Sequence, residues 1–305
     1  MPPVFALRQR WLRTRTVGAL ASGAALLGTG HAMTRVHWQP WCEYWYALVW
    51  LGFILTAEGL LDGATGHCLL FDRPRELGRM FAVSAVLWWL VEILNAIFFG
   101  GWRYSSSPQV APWIQYVRST VFFSTLIPAT WEALMLGARA LRVRSEPLRA
   151  DVDRRFAVAA LLVGVGLLVV LGAGQLRDFR LPIGLLAALL LLDAANALTR
   201  RPSLLRRCAS GRDRARFLAS VVLSNLALGL LSEMWNHTAT PKWTYDAPYA
   251  GAARLFGMPL LGYVGYVVLA LIVYAAYHLV RARSHGKSDV DDLPADHPAI
   301  VLGLR

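Results

Sequence analysis

The chain has 305 residues, of which 56% are hydrophobic and 16% charged, with 12 tryptophans and a net charge of +12. So apolar a composition argues against an ordinary soluble domain and makes the bilayer the solvent. The arginines are spread over short connections with no recognition module beside them, which speaks against nucleic acid as a partner and for membrane lipids with anionic headgroups.

In chain order, the first apolar segment, 17–33, follows the basic start Arg8, Arg10, Arg13 and Arg15. A secretory signal and a first membrane helix share that signature, but no convincing small-x-small cleavage site follows it. Stretches close to the ~20 residues that cross the hydrocarbon core lie near 43–62, 79–100, 117–138, 156–174, 181–198, 214–234 and 256–280. With 17–33 as an eighth span, Arg139, Arg142, Arg144, Arg149, Arg154 and Arg155 face the same side as Arg200, Arg201, Arg206, Arg207 and Arg212. This satisfies the positive-inside rule, whereas seven spans from the same start would put those loops outside. The expectation is a multi-pass inner-membrane protein with cytoplasmic N- and C-termini. Residues 284–305, with Asp289, Asp291, Asp292 and two prolines, read as a disordered cytoplasmic tail.

The pattern Glu-x-x-Asn-x6-Trp-x-Tyr closes two of these segments, as Glu92, Asn95, Trp102, Tyr104 and as Glu233, Asn236, Trp243, Tyr245. A second match aligns Ala57-Glu58-Gly59-Leu60 and Leu69-Leu70 with Leu192-Asp193-Ala194-Ala195 and Leu204-Leu205. Such self-similarity marks duplication. The predicted fold is an all-α, polytopic transmembrane helical bundle of about eight spans, built as two parallel four-helix repeats over 1–150 and 151–283. An even number of helices per repeat relates the halves by a pseudo-twofold axis along the membrane normal.

Ionisable groups within a span are costly and therefore mark candidate functional positions. Glu92 and Glu233 each have an Asn at i+3 on the same helix face, toward the extracytoplasmic side. They form either a polar clasp between the halves, Glu92 and Asn95 against Glu233 and Asn236, or a site. Glu58 and Asp193 lie near cytoplasmic helix ends, where pairing with loop arginines is the ordinary role. Asp62 is expected beside Arg73, Arg75 or Arg79. Trp102, Tyr104, Trp243 and Tyr245 suit an interfacial aromatic belt or the roof of a pocket, and His237 adds a polar group to the second copy only. The next helix of the first copy carries Pro128 and Glu132, and that of the second carries Pro259, Tyr263 and Tyr266. The halves thus diverge, which favours one asymmetric pocket. Candidate acids are Glu92 and Glu132. Candidate substrate contacts are Asn95, Trp102, Tyr104, Glu233, Asn236, His237, Trp243, Tyr245 and Tyr263. Cys42, Cys68, Cys208 and the histidines show no metal-ligand spacing, so no metal or cofactor is expected. Homo-oligomerisation is left open.

Two tandem copies of an acid- and amide-bearing helix end, a Trp-x-Tyr loop and a helix opening with proline, in the first copy as Pro128-Ala-Thr-Trp-Glu132, resemble the membrane lycopene cyclase domains of the heterodimeric type. The loop of that family carries Trp and an aromatic, and its next helix begins Pro-x-Glu-Glu. The resemblance covers about 92–132 and 233–266. It implies a lipophilic, isoprenoid-like substrate isomerised or cyclised by acid catalysis. A carboxylic acid kept neutral in an apolar site would protonate a double bond, and ring faces would stabilise the cation. Trp88, Trp89, Phe98, Phe99, Phe122, Phe123, Trp131 and Trp235 supply rings. Alternatives are a proton-coupled transporter or lipid-handling protein, and a non-catalytic membrane scaffold.

Overall fold

In a computed structural model of the chain, residues 4–36, 41–105, 111–143, 154–174, 176–209, 214–246, 251 and 253–281 are described. The 284–305 tail and Arg144, Arg149 and Arg212 lie outside them. Apolar runs of the predicted lengths form helices: α1 Val4–Val36, α2 Trp45–Thr65, the short α3 Leu69–Asp72, α4 Pro74–Leu94, α5 Pro112–Ser124 and α6 Leu126–Ala140. The order continues through α7 Arg154–Gly172, α8 Arg180–Leu198, the short α9 Leu204–Ala209, α10 Arg214–Thr238 and α11 Gly262–Val280. Strands are minimal: β1 Trp102–Tyr104 pairs antiparallel with β2 Trp243–Tyr245, and β3 Arg254–Leu255 with β4 Met258–Pro259. The protein is an all-α polytopic helical bundle of the membrane-spanning kind. Among the described residues seven helical stretches are long and apolar enough to cross a bilayer, and α1 is not one of them.

By internal contacts the chain forms two compact units. Unit 1 comprises Met1–Leu90, Ser105–Leu136 and Thr238–Lys242, and unit 2 comprises Val91–Tyr104, Gly137–His237 and Trp243–Arg305.

In unit 1, α1 runs antiparallel along α2 through a glycine seam. A Cβ on Gly23 would sit 2.7 Å from the Thr56 backbone nitrogen, and one on Gly52 would sit 2.6 Å from that of Leu27. Gly30 meets Val49 and Gly59 meets Leu20 in the same way, so side-chain-free positions let the two backbones touch. Asp62, near the end of α2, pairs with α1 and not with Arg73, Arg75 or Arg79. The Arg15 Nη2 donates to its Oδ1 at 2.5 Å, and the Thr16 hydroxyl donates to Oδ2. The expected loop partners lose because the seam brings Arg15 alongside α2 first. Between α5 and α6 the helix parts at Thr125. Pro128 has no N–H for the Ser124 carbonyl, and one residue earlier Ser84 of α4 bridges the parted Phe123 carbonyl and Ile127 N–H. Its Oγ donates to the Phe123 carbonyl at 2.5 Å and accepts from Ile127 N at 3.0 Å.

In unit 2, α8 is the hub. Gly164 of α7 packs against Leu191 and the Ala187 carbonyl, and the Phe99 ring lies over Gly184. The buried Asn196 donates to the Ala275 carbonyl of α11 at 2.7 Å. Arg201 Nη1 collects the carbonyls of His278, Leu279 and Arg281, which satisfies the acceptors left open at the end of α11.

Candidate functional site

The repeated motif has a structural logic that begins with its asparagines. After α4 a π-helical turn, Asn95–Phe99, ends at Gly100 in the left-handed conformation (φ 60°), and the chain folds back. Asn95 then holds the returning strand: its Oδ1 accepts from Gly101 N at 2.8 Å, and its Nδ2 donates to the Trp102 carbonyl at 3.0 Å. Asn236 does the same for β2, with Trp243 N at 2.9 Å and the Trp243 carbonyl at 2.9 Å. The side-chain amide thus stands in for a neighbouring strand's peptide group. Strand residues two apart point to one side, so the Trp and Tyr of Trp-x-Tyr both reach back to the acid one helical turn before the Asn. Trp102 Nε1 and Tyr104 Oη donate to Glu92 Oε1 at 3.2 and 2.6 Å. Trp243 Nε1 and Tyr245 Oη donate to Glu233 Oε1 at 3.3 and 2.6 Å.

The two sets differ in cover. Glu233 is fully buried and also receives the Tyr266 hydroxyl at 2.6 Å, whereas Glu92 is half-buried and Tyr104 exposed. Burial, the Tyr266 hydroxyl and the Glu233 carboxylate push the Tyr245 phenol well above its ordinary value, so it is a permanent donor. The acids bond their own loops, and it is the strands that join: Trp102 pairs with Tyr245, Arg103 with Thr244 and Tyr104 with Trp243. Of the other sequence candidates, His237 is exposed and stacks near Phe256, at 6.1 Å between ring centroids. Tyr263 donates to the Leu255 carbonyl at 3.0 Å. Tyr266, one turn on, is the tyrosine that reaches Glu233. Only its place in the helix register distinguishes it from Tyr263.

Glu132 belongs to a different constellation, in unit 1. It is fully buried on α6 and lies within hydrogen-bond reach of Glu58 on α2, also fully buried. Among the described residues no N–H or O–H donor reaches either Glu132 oxygen, and Glu58 Oε1 is likewise without one. Two carboxyl groups can hydrogen-bond each other when one of them carries a proton. Glu58 Oε2 accepts from Leu70 N at 3.0 Å, and the buried Cys68 thiol bonds the same carboxyl. Burial and the adjacent Glu58 charge push that thiol far up, so it stays protonated. In unit 2 Asp193 has the simpler version of this arrangement. Its two oxygens accept from Leu204 N and Leu205 N at 2.6 and 2.9 Å. Among the described residues no loop arginine holds Glu58 or Asp193, contrary to expectation. Each caps a short helix whose first amides need acceptors.

Rings gather in unit 1 as well. Tyr46 and Trp50 of α2 lie 6.0 Å apart, Tyr46 is 5.4 Å from Phe122, and Phe123 contacts both Trp88 and Trp89 of α4. Sequence reading missed one intramembrane ion pair, Arg118 of α5 with Glu43, both buried. Its signal is a lone arginine inside an apolar run, but Glu43 is too distant in the chain to be recognised as its partner. Among the described residues no group of three or more His, Cys, Asp or Glu is placed to hold a metal ion. Comparison of the chain with protein-family models, with curated proteins and with solved structures finds no match.

Proposed function

We propose that this membrane protein binds a lipophilic, isoprenoid-like molecule in unit 1 and isomerises or cyclises it by acid catalysis, with the proton held by the Glu58–Glu132 pair. The observation that carries the reading is a pair of fully buried carboxyls in contact, on the helices that also bring Tyr46, Trp50 and Trp131 into the same unit. Glu132 gives its proton to an alkene carbon of the substrate, and the ring faces stabilise the resulting cation. Loss of a proton from a neighbouring carbon to the carboxylate restores the acid, so the cycle needs no cofactor. Glu92 and Glu233 are the weaker candidates for the acid, because each is already an acceptor for its own Trp and Tyr. The resemblance to lycopene cyclase domains agrees with this choice of substrate class.

The reading includes an internal duplication, 1–150 and 151–283, in an inner membrane with both termini cytoplasmic. Matched asparagine brackets, matched acid acceptors and matched carboxylate caps at Glu58 and Asp193 support it. We assign the two Glu-Asn-Trp-Tyr motifs to joining the copies through β1 and β2, a scaffold role. A proton-coupled transporter or lipid-handling protein is the second reading, favoured by the polar groups Asp62, Arg15 and Asp72 clustered at the Glu58 end of α2.

The test uses protein in nanodiscs supplied with acyclic isoprenoid polyenes, with products followed by chromatography and mass spectrometry, and lipid extraction of the purified protein. Wild type is expected to retain and convert such a lipid. Glu132→Gln and Glu58→Gln are expected to retain it unconverted, with rates down by about 10²–10⁴-fold, the usual worth of a general acid. If wild type retains no isoprenoid and converts none, the reading is wrong.

A further inference from the structure

Two buried polar pairs link the same parts of unit 1. Glu58 and Glu132 join α2 to α6, and Glu43, in the 3₁₀ turn Trp41–Tyr44 that leads into α2, meets Arg118 of α5. At about 1.5 Å per residue the two pairs are roughly 22 Å apart along α2. A run of rings lies between them. Tyr46 is one turn in from Glu43, as Phe122 is from Arg118, and these two rings are 5.4 Å apart. Trp50 follows at 6.0 Å from Tyr46, and Phe53 at 5.8 Å from Trp50. Spaced at i, i+4 and i+7, the three rings of α2 share one face.

The Glu43–Arg118 pair is incomplete as a purely structural device. Glu43 is 2% exposed and Arg118 8%, and one carboxylate oxygen takes Arg118 Nη1. A buried ion pair offsets its lost hydration only when the remaining lone pairs also find donors. No N–H or O–H of the described residues reaches the other oxygen, Glu43 Oε1. The pair is neutral as a whole, so a third charge beside it would be buried without a partner. What Oε1 accepts is therefore an uncharged donor, and in a lipophilic molecule that is a hydroxyl group.

We infer that the Glu43–Arg118 pair is a head-group subsite and that the substrate is a lipophilic alcohol, not a pure hydrocarbon. Its hydroxyl donates to Glu43 Oε1, its chain lies along Tyr46, Trp50 and Phe53, and its far alkene bonds come to Glu132. Arg118 holds the carboxylate in place and is a positioning residue. The head group then acts as a ruler, because it sets which alkene bond reaches the acid.

This inference rests on the isoprenoid-like substrate proposed for unit 1, and the experiment separates the two. Full-length protein in nanodiscs binds tritiated geranylgeraniol in competition with unlabelled geranylgeraniol or with its methyl ether, which keeps the chain but cannot donate. Wild type should bind the ether about 10–100-fold more weakly, the usual effect of leaving one buried acceptor unmatched. Glu43→Leu with Arg118→Met replaces the pair by apolar side chains of similar size, an exchange that buried pairs commonly tolerate. This double variant should bind alcohol and ether about equally, whereas Glu58→Gln and Glu132→Gln, at the far end, should keep the wild-type preference. Thermal unfolding checks that the double variant is folded, and the wild-type comparison stands without it. Equal binding of alcohol and ether by wild type, or a preference that survives in the folded double variant, overturns the subsite and leaves the isoprenoid reading standing. No specific binding of the alcohol by wild type also overturns the subsite, and if the acyclic polyenes are neither retained nor converted, the substrate reading falls with it.

Discussion

Tyr245 and Tyr104 hold the same place in the same sequence motif, yet their surroundings make them unequal. Tyr245 donates to a fully buried carboxylate that also binds Tyr266, while Tyr104 is 52% exposed and donates to a half-buried one. Leaving a buried acceptor without one of its donors costs about 1–3 kcal/mol. Tyr245→Phe should therefore lower stability by about that amount, and Tyr104→Phe by less than about 1 kcal/mol. The pH dependence has a definite sign. The folded chain holds the Tyr245 proton more tightly than the unfolded chain, so this contribution is complete below the ordinary tyrosine value of about 10 and is lost as pH rises above it. Thermal unfolding in detergent, from neutral pH to about 11, should show wild type losing stability more steeply than Tyr245→Phe at the alkaline end. Equal losses in the two tyrosine variants would show that burial does not separate the two motifs.

At the scale of elements, the join between β1 and β2 makes the firmest geometric claim. Arg103 and Thr244 are directly opposite and both exposed. Opposed residues in an antiparallel pair have Cα atoms about 4.5–5.5 Å apart, within the span of a disulfide. Arg103→Cys with Thr244→Cys should cross-link under mild oxidation and shift the band on a non-reducing gel, whereas Arg103→Cys with Thr240→Cys should not. A failure of the first pair to close would refute the register. These strands were hard to read from sequence for a physical reason. Three residues give too short a run for alternation to show, and pairing partners 139 to 143 positions apart leave no local trace, so Trp-x-Tyr looks like an aromatic belt. The helices were legible because an apolar run of the right length is a local property. The acid-amide-aromatic motif was legible as a repeat, but its chemistry was not, since Asn95 and Asn236 act on backbone that folds back toward them. Glu58 and Glu132 meet across two helices, and neither residue's neighbours in sequence announce the other. Asp62 illustrates the same limit, because the nearest arginines in sequence lost to Arg15 on a different helix.

At the scale of the whole molecule, the place of α1 decides the arrangement of every loop. Its composition falls short of the seven clear spans, but its packing does not: four glycines let it lie against α2 along most of that helix's length. A 33-residue helix rises about 1.5 Å per residue, more than the ~30 Å hydrocarbon core. Close backbone contact replaces the apolar side chains a lone span would need, since lipid offers no hydrophobic force between helices and packing must hold them together. If α1 crosses, the count is eight, both termini share a side, and the arginine-rich connections fall on it, as the positive-inside rule requires. If α1 lies outside the bilayer, the count is seven and the start of the chain loses that agreement. Single cysteines in a background lacking Cys42, Cys68 and Cys208, probed with an impermeant maleimide in sealed vesicles of each orientation, distinguish the cases. Arg142→Cys, Arg206→Cys and Thr14→Cys are expected to react only from the cytoplasmic side, and Arg103→Cys and Thr240→Cys only from the other. Thr14→Cys reacting from the side opposite to Arg206→Cys would remove α1 from the count and, with it, the four-helix unit on which the duplication rests.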